Sequence, residues 1–167
     1  MSKTVSQPIQ TDNFDILLNL RSYGWSDFYL FVNEKSFEFT ISHVFTDPCF
    51  DLIKALSDLI HGNPETCFVL QGEPDGVFFD IKKMVTQQHK IMISIHDFDG
   101  FYNSDSKLNS IIKMEVKTKQ FICILYLQLK KIFMLLHDKK FAEQREGGSL
   151  LQNFYSFEKE VISFLKK

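Results

Sequence analysis

Apolar and polar positions alternate along much of the first two thirds of the chain. Large apolar side chains occupy every second position of two runs: Phe28, Leu30 and Val32 in the first, and Phe37, Phe39 and Ile41 in the second. A period of two is that of a half-buried strand. Asn33-Glu34 offers a corner between the two runs, so the pattern predicts a β-hairpin. Residues 14–20 are apolar enough for a first strand or a short helix, and the pattern leaves both open.

The pattern then changes to a helical period. Asp47-Pro48 is typical of a helix start, because aspartate accepts hydrogen bonds from free backbone donors and proline is well suited to the first helical position. Gly62 is expected to end the helix in a left-handed conformation. Between them, apolar residues recur on one side of the predicted helix, at positions 49, 52, 53, 56, 59 and 60.

Further strands are predicted after this helix, at residues 66–71, 77–86 and 90–98. The first two are separated by a turn in which Pro74 presets a corner, Asp75 can bond nearby backbone and Gly76 is expected to take a positive φ. The last two reverse around residues 87–89. Together these strands predict an antiparallel meander.

The pattern of the C-terminal part predicts mostly helices. Residues 111–116 fit one more strand or an irregular lead into a helix, and residues 121–137 and 154–165 have helical patterns. Glycines at 147 and 148 mark residues 143–149 as a mobile connection. The predicted fold class is therefore α+β, with an antiparallel β-sheet of about five to six strands in a meander and helices packed against one face.

Length and composition indicate one domain. A chain of 167 residues with 44% hydrophobic residues suits a single core, and 18 phenylalanines predict that phenyl rings fill much of it. We expect a flexible N-terminal arm at residues 1–12 and one α+β domain at 13–167, monomeric when free.

The net charge, the N-terminal sequence and the longest apolar window each argue against a class of partner or location. A net charge of −2 and no basic stripe argue against nucleic acid as the partner. The N-terminus lacks the apolar core of a secretory signal, which predicts a cytoplasmic protein. The apolar window 121–136 is interrupted by Gln128, Lys130 and Lys131 and is shorter than the roughly 20 residues of a membrane span. We therefore expect a core helix and no membrane association.

Residues that could carry chemistry are scattered. Cys49, Cys67 and Cys123 are widely separated, so we expect reduced and mostly buried thiols. His96 and Asp97 would point to opposite faces of a strand, which leaves too few ligands for a metal. The glycines form no phosphate-binding spacing. We expect no catalytic residues, no metal and no cofactor.

Acidic residues cluster at the strand ends and loops of the meander. A solvated surface explains such a cluster, and so does a docking patch for a basic protein. Tyr29, Tyr102 and Trp25 are candidate aromatic anchors near it, although Trp25 fits the core better. The candidate partner-binding residues are Glu73, Asp75, Asp80, Asp97, Asp99, Tyr102 and Asp105.

The order of several motifs resembles a known family. Gly24-Trp25 before a hairpin, Asp47-Pro48 opening an amphipathic helix that ends at Gly62, and the turn at residues 73–76 together resemble small bacterial proteins. These include the immunity proteins of contact-dependent growth inhibition. The resemblance spans about residues 24–98. It implies a cytosolic single domain that binds and blocks the toxic C-terminal domain of a cognate effector, with no catalytic residues.

Two other functions stay open at this point. One is a small enzyme or ligand-binding domain whose site is assembled from distant residues such as His96, Asp97 and His43. The other is a relative of the same family whose protein partner is not a toxin.

Overall fold

The structure, a computed structural model, describes residues 7–44, 46–145 and 148–167. Within these ranges the chain forms eight strands and four helices. The strands are β1 (Ile9–Gln10), β2 (Phe14–Leu20), β3 (Trp25–Val32), β4 (Lys35–Ser42), β5 (Glu65–Gln71), β6 (Asp75–Lys83), β7 (Lys90–Asp99) and β8 (Asn109–Lys117). The helices are α1 (Pro48–His61), α2 (Thr118–Leu135), α3 (Lys139–Ala142) and α4 (Gly148–Leu165).

The strands divide between two sheets. The larger sheet has the order β1-β8-β7-β6-β5 and is antiparallel except for the short β1, which runs parallel to β8. The smaller sheet is the antiparallel set β2-β3-β4. The predicted α+β class and the meander β5-β6-β7-β8 are confirmed. The predicted single sheet is wrong: β4 is an edge of the smaller sheet, and β5, which follows α1, is an edge of the larger one.

Phenyl rings join the inner faces of the two sheets, as the composition predicts. Phe28 of β3 lies 5.4 Å from Phe79 of β6 between ring centroids, and Phe68 of β5 stacks on Phe79 at 4.3 Å. Phe28 and Phe79 are almost fully buried. Such ring pairs contribute about 0.5–1.5 kcal/mol each beyond their buried area. One continuous core therefore links both sheets and the helices.

Helix α1 has the ends that the sequence predicts. The Asp47 carboxylate accepts hydrogen bonds from the backbone N–H groups of Cys49 and Phe50, both at 3.1 Å. Gly62 follows the last turn with φ of 94°, a left-handed conformation that costs glycine little. The apolar side of the helix, which includes Leu52 and Leu59, is buried in the core.

Helix α2 covers the outer edge of the smaller sheet. Gln128 accepts a hydrogen bond from the backbone N–H of Leu18 in β2 at 3.1 Å, and the Lys131 ammonium donates to the Leu18 carbonyl oxygen. Burial lowers the pKa of Lys131. Two of the three polar residues that interrupt the apolar sequence of α2 therefore satisfy backbone groups of an edge strand that would otherwise be open to another chain.

The C-terminal helices differ in part from the prediction. Helix α4 begins at Gly148, six residues before the predicted start, and packs on α2 through the stacked rings of Phe133 and Phe154 at 4.2 Å. Helix α3 was not predicted. Within the connection predicted at 143–149, Glu146 and Gly147 lie outside the described residues. The same holds for residues 1–6 of the predicted N-terminal arm, whereas Ile9–Gln10 form β1.

The three cysteines were predicted to be reduced and mostly buried. Cys49 is buried and Cys123 half-buried, but Cys67 is exposed on β5; all three are free thiols, and burial raises the pKa of Cys49 to about 12. Within the part of the chain that the structure describes, no helix is both long and apolar enough to cross a membrane.

Candidate functional site

A cleft of about 290 Å³ opens at one end of the larger sheet, beside β4. Four exposed carboxylates line it, from Glu38, Glu73, Asp75 and Asp97. Its apolar part is formed by Phe39, Leu70, Val77 and Ile111. The described residues that line this acidic cleft include no lysine, arginine or histidine. The four carboxylates take part in none of the ion pairs found within the described ranges.

The register of β6 and β7 brings three of the acidic residues together. Asp75 pairs with Asp99, and Val77 pairs with Asp97. Since side chains two apart on a strand share a face, Asp75, Asp97 and Asp99 lie on one side of the sheet end. Like charges directly opposite each other destabilise a sheet, so the Asp75–Asp99 pair does not serve stability.

Two hydroxyl groups fix the acidic residues on either side of the cleft. Ser42, at the end of β4, donates a hydrogen bond to Glu73 at 2.6 Å. Tyr29 of β3 donates to Glu38 of β4 at 3.3 Å. The turn that carries Glu73 is closed by the Gly72 N–H, which donates to the Asp75 carbonyl oxygen at 2.7 Å. Both walls of the cleft are thus held by neighbouring strands.

An aromatic cluster covers the opposite face of the same sheet end. The Tyr102 ring stacks on Phe78 at 4.9 Å with an interplanar angle of 8°, and lies 5.3 Å from Phe98. Phe98 is buried because it lies over Gly76, where an added Cβ would come within 2.5 Å of the ring. Gly76 does not have the positive φ that the turn motif predicts; glycine is required there to admit the phenyl ring.

A buried amide lies between the two faces. The Gln71 side chain, 3% exposed, donates to the carbonyl oxygens of Gly72 at 3.1 Å, Asp75 at 3.3 Å and Gly100 at 3.0 Å. Its Oε1 accepts from the Tyr102 backbone N–H at 3.4 Å. Partial burial raises the pKa of the Tyr102 phenol. The β5–β6 turn and the loop after β7 are therefore joined through one side chain.

The structure brings together part of the predicted site. Glu73, Asp75 and Asp97 line the acidic cleft, and Asp99 lies opposite Asp75. Tyr102 lies on the other face of the sheet end.

Two predicted residues lie elsewhere. Asp80 is five positions along β6 from Asp75, roughly 17 Å at about 3.4 Å per residue, and pairs with Lys82 at 3.2 Å. Asp105 lies on the exposed loop after β7, where its N–H donates to the Asn103 side chain at 2.9 Å.

Sequence reasoning missed Glu38. Its polar position in the alternating pattern of β4 was visible, but its proximity to residues 73–75 depends on how β4 approaches the larger sheet. The local pattern carries no signal for a contact of that kind.

A serine–histidine pair bears on the enzyme alternative. Ser26 Oγ lies 2.7 Å from His43 Nε2, a separation seen between nucleophile and base in hydrolases. Ser26 is only 2% exposed, so a substrate carbonyl cannot approach its hydroxyl. Burial lowers the pKa of His43 to about 4, with a further contribution from the Arg145 charge, while Asp47 acts in the opposite direction. We interpret the pair as a structural hydrogen bond.

The residues suggested for an assembled site are not brought together. His96 lies beside Phe78 on the outer face of the larger sheet, with 6.4 Å between ring centroids. Asp97 lies in the acidic cleft, and His43 contacts Ser26. Among residues 7–44, 46–145 and 148–167, no three His, Cys, Asp or Glu side chains are grouped so that they could hold a metal ion.

Comparison with known proteins adds no further constraint. No protein-family model, no curated protein and no solved structure matches this chain. Function is therefore inferred from the acidic cleft and its surroundings.

Proposed function

We propose that this protein is a non-enzymatic immunity protein of the cytoplasm. It would bind the C-terminal toxin domain of a cognate contact-dependent growth inhibition effector and neutralise it by covering a functional surface. The order of motifs between residues 24 and 98 supports the family. The observation that carries the proposal is the acidic cleft, with four exposed carboxylates and no cation among its described lining residues.

The cleft suits a lysine or arginine side chain from a basic protein surface. The aliphatic stem of such a side chain would lie against Phe39, Val77 and Ile111, and its charged head would reach the carboxylates. Charge-assisted hydrogen bonds of this kind are about twice as strong as neutral ones. Acidic charge also accelerates encounter with a basic partner and disfavours an acidic one.

Exposed aromatic side chains lie at the same sheet end as the cleft, on its other face. Tyr102 is 37% exposed and Phe101 60% exposed, both on the loop that follows β7. Aromatic residues supply much of the binding energy at many protein interfaces. A partner that wraps around this sheet end would contact both the acidic cleft and these aromatic side chains.

Co-expression tests this function. The toxin would be the C-terminal domain of a large exoprotein encoded next to this chain, and growth would be measured with and without the protein. Wild type should restore growth, and the double variant D75K/D97K should weaken binding at least 100-fold and lose protection, because it places two cations in the cleft.

The matched control is E65K/D80K, which makes the same change in net charge on β5 and β6, outside both the cleft and the loop that follows β7. It should protect as wild type does. If the toxin domain kills equally with and without the wild-type protein, the proposed function is wrong. If both double variants fail equally, the acidic cleft is not the binding surface.

A further inference from the structure

We propose that Gln71 is a positioning residue that holds the turn of the cleft carboxylates and the aromatic loop, on the two faces of one sheet end, in a fixed relative position before a partner binds. The loop is defined as residues 100–108, between β7 and β8. The consequence for partner binding rests on the proposed function, whereas the effect on the loop does not.

The contacts of Gln71 reach two segments that are distant in sequence. Gly72 and Asp75 belong to the turn that carries Glu73, while Gly100 and Tyr102 belong to the loop 29 and 31 residues further along the chain. The amide group bonds carbonyl oxygens of both segments with Nε2 and the Tyr102 N–H with Oε1. Because two N–H groups serve three carbonyl oxygens, one of them is shared.

The chemistry of these contacts requires an amide. A carboxylate in the same place could accept from the Tyr102 N–H but would face three carbonyl oxygens without a proton to donate. An apolar side chain of similar length would leave all four backbone groups without this partner. Backbone groups that lose their partner away from water are unfavourable, so the loop would leave its position and expose them to water.

Tyr102 also makes aromatic contacts. Its ring stacks on Phe78 in the middle of β6 and meets Phe98 at the end of β7 at a tilt of 59°. Asn103 and Ser106 bond each other within the loop at 2.9 Å. Gln71 thus ties the position of Tyr102 to that of the cleft carboxylates. A surface ordered before binding avoids the entropy cost of ordering it at the moment of contact.

Amide hydrogen exchange of the free protein tests the positioning directly. Q71M keeps the length of the side chain and removes its hydrogen bonds, and Q71E keeps only the acceptor. In both variants the hydrogen-bonded amides of the loop, those of Tyr102, Asn103, Asp105 and Ser106, should exchange at least tenfold faster, and trypsin should cleave faster after Lys107. Amides in the centres of β6 and β7 should exchange as in wild type.

F68L is the matched control. Phe68 is on the same strand as Gln71 but faces the core, where it stacks on Phe79, so this variant lowers overall stability without touching the loop. Exchange in the loop should stay at the wild-type rate in F68L. If Q71M does not fold, Q71N, which keeps the amide but is one methylene shorter, replaces it. The positioning role is wrong if the loop in the Q71 variants exchanges as in wild type, or no faster than in F68L.

Binding to the toxin domain separates this inference from the proposed function. If wild type binds, Q71M should bind at least tenfold more weakly, and equal binding by both proteins would contradict the inference. If wild type neutralises no toxin, the proposed function fails, while selective release of the loop in Q71M would still support the positioning role.

Discussion

The surroundings of α2 and the acidic end of the larger sheet differ in whether their polar groups have partners. Along α2, Gln128 accepts from the Leu18 N–H, and Glu158 of α4 accepts from the Tyr126 hydroxyl at 2.6 Å and from the Lys130 ammonium at 2.8 Å. At the acidic end, Asp75 and Asp99 face each other on neighbouring strands, and neither takes part in an ion pair found among the described residues.

The difference separates polar groups that stabilise the fold from groups that do not. A partnered group inside the protein offsets its own desolvation. Two neighbouring carboxylates at a sheet end repel each other, and exposure to water only reduces that repulsion. The acidic end is thus a surface where some stability is given up, which is common where a protein binds another.

The largest effect on stability is expected at His43, which hydrogen-bonds Ser26 and is one of the partnered polar groups. Its pKa falls from 6.5 to about 4 in the folded protein, so the unfolded state binds more protons between those two pH values. Stability should therefore be full above pH 6.5 and decrease as pH falls toward 4. At about 1.36 kcal/mol per pKa unit, the loss is at most about 3 kcal/mol.

Urea unfolding across this pH range measures that loss. H43Q, which keeps an acceptor for Ser26, should flatten the curve between pH 6.5 and 4. H89Q removes an exposed histidine in the β6–β7 turn and should leave the curve as in wild type. An unchanged slope in H43Q would show that His43 is not held neutral by burial.

The next effect is expected at β2, the edge strand that α2 covers. Q128L should lower the free energy of unfolding by about 1–3 kcal/mol, because the Leu18 N–H loses its acceptor in a partly buried place. Q120L is the control on the same helix, since Gln120 donates to an exposed Asp12 carbonyl oxygen that water can reach. Q120L should change stability by less than about 0.5 kcal/mol. Equal losses of stability in both variants would mean that the Gln128–Leu18 hydrogen bond stabilises the protein no more than the exposed Gln120–Asp12 bond does.

A smaller effect is expected where α2 meets α4. The Lys130 and Tyr126 hydrogen bonds lower the pKa of Glu158 below its usual 4.5, so the stability that this carboxylate contributes is present above that pH and lost as pH falls through its folded pKa. E158Q should cost about 0.5–1 kcal/mol at pH 7, as is typical of partly exposed pairs.

The control for this pair is E160Q, in which glutamine can still accept from Ser57. The E158Q loss should shrink below pH 4, where wild type protonates as well. A loss that stays constant down to pH 3 would assign the effect to packing.

The smallest effect lies at the acidic end and has the opposite sign. D99N removes the repulsion with Asp75 and should raise the free energy of unfolding by about 0.2–1 kcal/mol, more at low salt than at high salt. D105N, in the exposed loop, should be neutral. Thermal unfolding at two salt concentrations measures both variants, and a destabilised D99N would remove the contrast between the two regions.

Local features of the fold were predictable because their signals lie within a few residues. The Asp47 cap, the left-handed Gly62 and the turn between β3 and β4 each depend on neighbouring backbone. The predicted strand at 90–98 is likewise local, because Ile91, Ile93 and Ile95 recur at every second position and are all buried in β7. Of the candidate site, Glu73 and Asp75 were found for the same reason, since they flank a recognisable turn.

The sequence by itself thus determined most of the longer elements, the two ends of α1 and the acidic character of one strand end. Tertiary structure decided which elements meet: the separation of β2-β3-β4 from the larger sheet, the approach of Glu38 to the cleft, and the bonds of Gln71 to a loop 29 residues away. Gln128 shows the same dependence, because its partner Leu18 is 110 residues distant. A local pattern reports only on residues within a turn or a strand, while these contacts depend on how the whole core packs.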